Sequence, residues 1–480
     1  MEQLSGIDAS FLYFEGPTLP MHTLKVALFE LEGDLDWAGI RNGIERHLDA
    51  LEPFRRRLVE IPLGLGHPVW IEDPDFDLDW HLHRCRVEAP GGARELDAVV
   101  SRIAARPLDR SRPLWEITLV EGLEAGRVAF VAKIHHSIAD GARTLELLRA
   151  LMHWNGAVGT PWCPERVPER GVLLRLAARS FFRELAALPA LVVRTIRGLV
   201  AMVRRAKRSA VQQPAPFSGP IAPMNHSLGV GRRFATARLP LDTVLQLKRS
   251  AGVTVNDVLL CVCGGALRRY LEERDVLPMR PLIVGVPVDT RDGAHALPGA
   301  NHVGHIMGTL GTDEADPIKR LHTIANVMRE AKARHDALGP DLLERWVQFA
   351  PPRLYSGVIR AFAWLRLAEH IPPPINLVVS NVAGPREVLE LEGSRLVGLY
   401  SVGPILEGIG LNITSWSYAG DLYFGLLSDD RGDLEPGRVA ALLGVELTAL
   451  TRAAGLDAPA SESPITAPVS EPGVGPETPA

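Results

Sequence analysis

A strand that runs straight into two histidines constrains this chain more than any other stretch. Residues 127–134, Arg-Val-Ala-Phe-Val-Ala-Lys-Ile, are apolar and rich in β-branched side chains, which predicts a buried strand. His135, His136, Ser137, Ile138, Ala139, Asp140 and Gly141 follow at once. Beyond them, Leu145, Leu147, Leu148, Leu151 and Met152 fall mostly at helical spacing. A histidine at a strand end is held rigidly, and the loop beside it can admit a substrate. On ordinary residue frequencies, two histidines, an aspartate and a glycine at these spacings arise by chance in about one chain in a thousand.

Adjacent side chains of an extended strand point to opposite faces, so His135 and His136 are not expected to act alike or to chelate one metal together. One enters a reaction channel while the other packs behind it. A neutral imidazole titrates near neutral pH and suits removal of a proton from an alcohol. Asp140 either orients that imidazole or caps the next helix, and capping is the commoner role for an aspartate there. Gly141 offers close backbone approach or an unusual dihedral. Ser137 reads as a loop serine, because sequence neighbours rarely form a nucleophile–base pair. No Gly-x-Ser-x-Gly elbow, phosphate loop or His-Glu-x-x-His helix occurs. Cys261 and Cys263 lie in an apolar helix pattern and read as core thiols, and no metal is expected.

The chain has 480 residues, 46% hydrophobic and 23% charged, enough for two domains with substantial cores. A net charge of -5 without a dense basic tail argues against a general nucleic-acid binder. Four cysteines make no disulfide framework, and the first residues lack the basic start and apolar core of a signal peptide, so a cytoplasmic setting is expected. Residues 1–170 alternate strand and helix patterns, with a strand over 22–31 and a helix over 37–51. Residues 171–235 form a basic amphipathic segment followed by a Pro/Gly-rich linker. Within the segment Arg175, Arg179, Arg183, Arg194, Arg197, Arg204 and Arg205 fall within roughly one third of a helical wheel. Arginine interrupts its apolar runs short of the roughly 20 residues that span a bilayer. Pro189 is expected to kink or split it. Either it lies on an anionic membrane surface, or it packs its apolar face on the protein and leaves its arginines in water. Residues 236–453 form a second α/β region, with a helix over 256–272 and strands over 282–288, 377–380 and within 411–427. Residues 454–480, rich in Pro, Ala, Ser, Glu and Thr, are expected to be a disordered tail.

His135-His136-x-x-x-Asp140-Gly141 resembles the active-site motif of CoA-dependent acyltransferases, and the whole set resembles the bacterial wax ester synthase/acyl-CoA:diacylglycerol acyltransferase family. Leu4-Ser5-x-x-Asp8-x-x-Phe11-Leu12 with Pro20-Met21-His22 is similar to that family's N-terminus. Arg112-Pro113-Leu114-Trp115-Glu116 matches its Pro-Leu-Trp element, and Asn256-Asp257-Val258-Leu259-Leu260 its Asn-Asp helix start. Ser380-Asn381-Val382-Ala383-Gly384-Pro385 and Gly410-Leu411-Asn412-Ile413 resemble its C-terminal motifs, with Ala383 where proline is common. The resemblance covers nearly all of residues 1–452.

It implies an α/β, two-domain, chloramphenicol acetyltransferase-like fold: each half a mixed sheet with helices, and an active-site channel between the halves. It implies transfer of a long-chain acyl group from acyl-CoA to the hydroxyl of diacylglycerol, and of long-chain alcohols, with no acyl-enzyme and no cofactor. His136 would be the general base and His135 supporting. Asp140 would be structural and paired with Arg291. Asn256 is either a helix cap or an oxyanion donor; Trp115 reads first as core, and Asn381 first as a turn residue. The expected location is peripheral, at the inner face of the cell membrane or on lipid droplets. Two other readings stay open: another hydroxylated acceptor, or a non-catalytic lipid-binding member of the fold.

Overall fold

The computed structural model describes residues 1–33, 36–48, 51–138, 162–289, 303–339, 341–349, 351–391 and 393–457. Its strands are β1 (Glu2–Gln3), β2 (His22–Glu30), β3 (Arg56–Val59), β4 (Val69–Glu72), β5 (Leu82–Arg86), β6 (Trp115–Glu121), β7 (Arg127–His135), β8 (Arg232–Pro240), β9 (Ile283–Asp289), β10 (Val303–Thr309), β11 (Leu377–Ala383), β12 (Glu390–Leu391), β13 (Ser394–Val402), β14 (Leu411–Tyr418) and β15 (Asp421–Asp429). The helices are α1 (Gly6–Phe14), α2 (Trp37–His47), α3 (Ala93–Ala105), α4 (Arg170–Arg208), α5 (Leu241–Ala251), α6 (Val255–Glu272), α7 (Pro317–Leu338), α8 (Leu342–Gln348), α9 (Pro352–Trp364) and α10 (Pro436–Ala453).

Two six-stranded mixed sheets carry the molecule, ordered β12-β13-β2-β7-β6-β5 and β10-β9-β11-β14-β15-β8. β7 is internal to the first, antiparallel to β2 and β6, which is why its run is apolar on both faces. β5 and β6 are parallel and joined through α3, which buries Leu96, Val99, Val100, Ile103 and Ala104 at helical spacing. In the second half α6 is buried on nearly every side, and its Val258, Leu260, Val262 and Leu267 sit at the centre of that core.

Sequence order and spatial order part company at one place. β12 and β13 come from the C-terminal half but belong to the first sheet, where β13 runs antiparallel to β2 from Arg395 opposite Glu30 to Val402 opposite Leu24. An apolar strand such as β2 left at a sheet edge invites foreign pairing, and β13 covers it. A single core then joins the halves, packing Leu24, Val26 and Val131 with Trp416, Tyr418 and Tyr423.

The basic segment forms one helix, α4, 39 residues long. Pro189 does not split it. The proline is exposed, so the carbonyl that loses its donor one turn earlier faces solvent. The face turned to the protein is narrow and mostly small: Leu173, Ala177, Ser180, Leu191 and Gly198 are its buried residues. At Gly198 an added Cβ would stand 2.3 Å from the Leu338 carbonyl oxygen. Arg194 pairs with Asp341 at 2.7 Å and Arg205 with Glu330 at 3.0 Å. The large apolar side chains point away, with Phe181 58%, Phe182 66% and Ile196 56% exposed. Of the two readings the sequence left open, the one in which an apolar face packs on the body and only arginines stay outside is therefore corrected: arginines and large apolar groups both face out. One 18-residue stretch of α4 has mean hydropathy 1.7, apolar and long enough for a span by composition, but the helix is tied to the body at many points along its length.

Candidate active site

β7 ends on His135, opposite His22 of β2. Two hydrogen bonds carry the strand's order past its end: His135 N–H donates to the Leu114 carbonyl at 2.9 Å, and His136 N–H to the Met21 carbonyl at 2.9 Å. Met21 and Leu114 belong to two segments noted in the sequence, and their backbones are the walls of the histidine turn. The histidines differ as the alternation predicted, since His135 is fully buried and His136 partly open.

His135 Nδ1 lies 3.1 Å from the Ser137 amide nitrogen and 2.7 Å from its hydroxyl. A backbone N–H can only donate, so Nδ1 accepts and the ring proton sits on Nε2. That nitrogen lies 3.7 Å from Glu15 Oε1, beyond hydrogen-bond length. Burial holds the His135 pKa well below the usual histidine range, and the Arg110 and His136 charges act in the same direction. A neutral, enclosed ring is suited to support.

His136 stacks on Phe11 of α1, with ring centroids 4.2 Å apart and planes inclined by 20°. α1 begins at Ser5, whose hydroxyl accepts from the Asp8 amide at 3.1 Å. Its first residue, Gly6, donates to Gln348 Oε1 at 2.6 Å, and a Cβ there would lie 2.5 Å from Gln348 Cα. Glu15, at the end of α1, accepts from Arg110 Nε at 2.6 Å and from the Met21 amide. Burial raises its pKa more than Arg110 lowers it. A cavity of about 1050 Å³ adjoins the turn; Ser137 and Ile138 line one side, Leu4 and Asp8 another, and Leu191 and Phe349 close it from α4 and the end of α8. That exceeds what a drug-sized ligand needs.

Other predicted residues fall elsewhere. Asp140, Gly141 and Arg291 lie outside the described residues, and so does the Asp140–Arg291 pair. Asn256 is not the cap of its helix. Thr254 is, exchanging bonds with Asp257 in a capping box, and Asn256 is the second helical residue, half-buried. Among the described residues no hydrogen bond joins it to either histidine. Trp115 is core, as expected: its Nε1 donates to the Phe54 carbonyl at 2.7 Å and its ring stacks on His81. Asn381 is not at a turn, because β11 continues to Ala383 and Asn381 accepts from Ser415 Oγ at 3.0 Å across to β14. Cys261 and Cys263 are buried thiols, pushed up to about 11 and about 12 by burial.

Sequence reasoning missed Glu15, Arg110 and Gln348, and gave Phe11 no role. Glu15 and His135 are far apart in sequence, and no local period links them. Phe11 stood inside a quoted motif, the one available signal.

Residues 4–259 match the model of the wax ester synthase/diacylglycerol acyltransferase catalytic domain, and residues 299–451 that of the family's C-terminal domain. A Mycobacterium tuberculosis protein provisionally named diacylglycerol O-acyltransferase is 38% identical over 460 residues, covering 95% of this chain and 97% of its own. Another from that organism, so named, is 37% identical over 440 residues, covering 89% and 92%. Among solved structures, the wax ester synthase/diacylglycerol acyltransferase of Marinobacter aquaeolei aligns with TM-score 0.65 and 28% identity over 95% of this chain and 100% of that one. The first condensation domain of the CDA synthetase shares the fold, with TM-score 0.55 and 15% identity over 94% of both chains. Matched from its first helix to its last, the chain belongs to the wax ester synthase/diacylglycerol acyltransferase family and is one of its acyltransferases.

Proposed function

We propose that this acyltransferase moves a long-chain acyl group from acyl-CoA to the hydroxyl of diacylglycerol, forming triacylglycerol, and to long-chain alcohols, forming wax esters. The observation that carries the reading is the inequality of the two histidines: a partly open His136 held by Phe11, in front of an enclosed His135. His136 takes the proton of the acceptor hydroxyl as its oxygen bonds to the thioester carbonyl carbon. The tetrahedral oxyanion is stabilised by donors, with the Asn256 amide as candidate. Collapse breaks the carbon–sulfur bond, and His136 returns the proton to the departing thiolate, leaving ester and free CoA. No cofactor is required, since acyl-CoA is a substrate.

Water-insoluble acceptors suit an enzyme seated on lipid, and α4 is the proposed contact, resting peripherally on the inner membrane face or a lipid droplet. Its outward Phe181, Phe182 and Ile196 supply apolar area, and its exposed arginines supply attraction to anionic headgroups. Purified protein is to be assayed for CoA release from long-chain acyl-CoA with diacylglycerol, fatty alcohol and glycerol. His136→Ala is expected to cut turnover by about 100-fold or more. Full activity in that variant removes His136 as base, and no release with any acceptor sinks the acyl-transfer reading. Replacing Arg175, Arg179 and Arg183 together by glutamine is expected to weaken flotation with anionic vesicles; unchanged flotation ends the membrane role of α4.

A further inference from the structure

We infer that helix α1 positions both histidines, through Phe11 on His136 and Glu15 at His135. This rests on the assignment of His136 as base. The two residues are four apart, so they share one face of α1, and that face is turned to the strand end.

Phe11 covers one face of the His136 imidazole. A ring stacked at 4.2 Å leaves the imidazole its in-plane nitrogens but removes rotation out of that plane. It also excludes water from that face and favours the imidazolium formed midway through transfer, since an aromatic face attracts a cation. Glu15 acts further back. Its carboxylate, only 9% exposed, takes the Met21 N–H and stands 3.7 Å from His135 Nε2. The Met21 carbonyl in turn holds the His136 N–H. One carboxylate thus holds Met21, the residue that leads into β2, by a hydrogen bond and stands close against His135 at the end of β7, short of a hydrogen bond to it. Arg110 neutralises it and also donates to the Leu12 carbonyl at the end of α1, so the anion is locked in place. Ser137 sets the tautomer that turns the His135 N–H toward Glu15.

α1 is itself fixed from outside. Ser5 caps it, and Gln348 bridges its first amide to Glu184 of α4, donating to Glu184 Oε1 at 2.9 Å. A helix anchored at both ends and applied to the reacting imidazole is an alignment device. Simple packing would predict a different outcome: substitutions that lower stability and leave turnover of folded protein intact.

The test uses the full chain and two readouts. Phe11→Leu, close in volume, is expected to lower kcat by about 10- to 100-fold, with KM for acyl-CoA and acceptor unchanged, while Phe11→Tyr restores activity. Glu15→Ala is expected to lower kcat likewise and Glu15→Gln, which keeps an acceptor for the Met21 amide, to lose less. The second readout is the rate of diethylpyrocarbonate modification at each histidine, followed by peptide mass spectrometry. Phe11→Leu should speed labelling of His136 alone, and Glu15→Ala should open His135, which stays unlabelled in the native protein. Folded Phe11→Leu and Glu15→Ala proteins with native kcat and native labelling, beside an inactive His136→Ala, overturn the inference and leave the base assignment standing. Activity in His136→Ala overturns the base assignment itself.

Discussion

His135 and His136 are neighbours in sequence and unlike in every physical respect, because a strand turns successive side chains to opposite sides. Asp97 shows how one residue can write a pH dependence into the fold. It lies half-buried on α3, its Oδ1 without a hydrogen bond among the described residues, and burial raises its pKa from 3.8 to about 8. The folded state therefore holds a proton that the unfolded state releases. The stability this confers is complete below about pH 3.8 and is lost as pH rises through about 8. Asp97→Asn removes that loss. Its melting temperature relative to the native protein should climb across this window and level above it, and a pH-independent difference would refute the assignment. Residue by residue, the sequence made His136 legible because strand period and motif agree there. It hid Glu15 and Arg110, whose meeting with His135 depends on three segments distant in the chain.

At the scale of elements, periodicity located the long, strongly patterned ones: β2, β7 and α6 lie within a residue or two of expectation, while short strands such as β1, β3, β4 and β12 were not anticipated. What periodicity could not supply was which face of an element is covered. α4 has one amphipathic pattern, yet its contact with the body is chosen by small residues and its large apolar groups are left outside. Gly198 sets that approach. Gly198→Leu places side-chain atoms where the Leu338 carbonyl stands and must lift the helix, so a lower melting temperature and faster proteolysis within residues 170–208 are expected. Native protease resistance would show that the close approach is dispensable. Asn256 failed as a cap for a similar reason: Thr254 and Asp257 form a reciprocal pair that a lone asparagine cannot match.

At the scale of the whole molecule, the halves legible in composition are not separable bodies. The linker after α4 marks a change in sequence character, but β13 returns to the first sheet and a common core crosses between the sheets. No sequence pattern announces such a return, because nothing in the run of β13 names its partner, which is chosen by three-dimensional neighbours. A fragment of residues 1–235 lacks that strand and should show no cooperative melting by calorimetry; a sharp transition would mean the first sheet stands without it. The same strand imposes an order on synthesis. A growing chain exposes the open edge of β2 until residue 402 has emerged, on the order of a minute at ordinary elongation rates. Through that interval the first sheet is an unfinished template, open to pairing with a neighbouring nascent chain. Chaperone demand during translation should therefore peak late, just before about the final sixth of the protein is made.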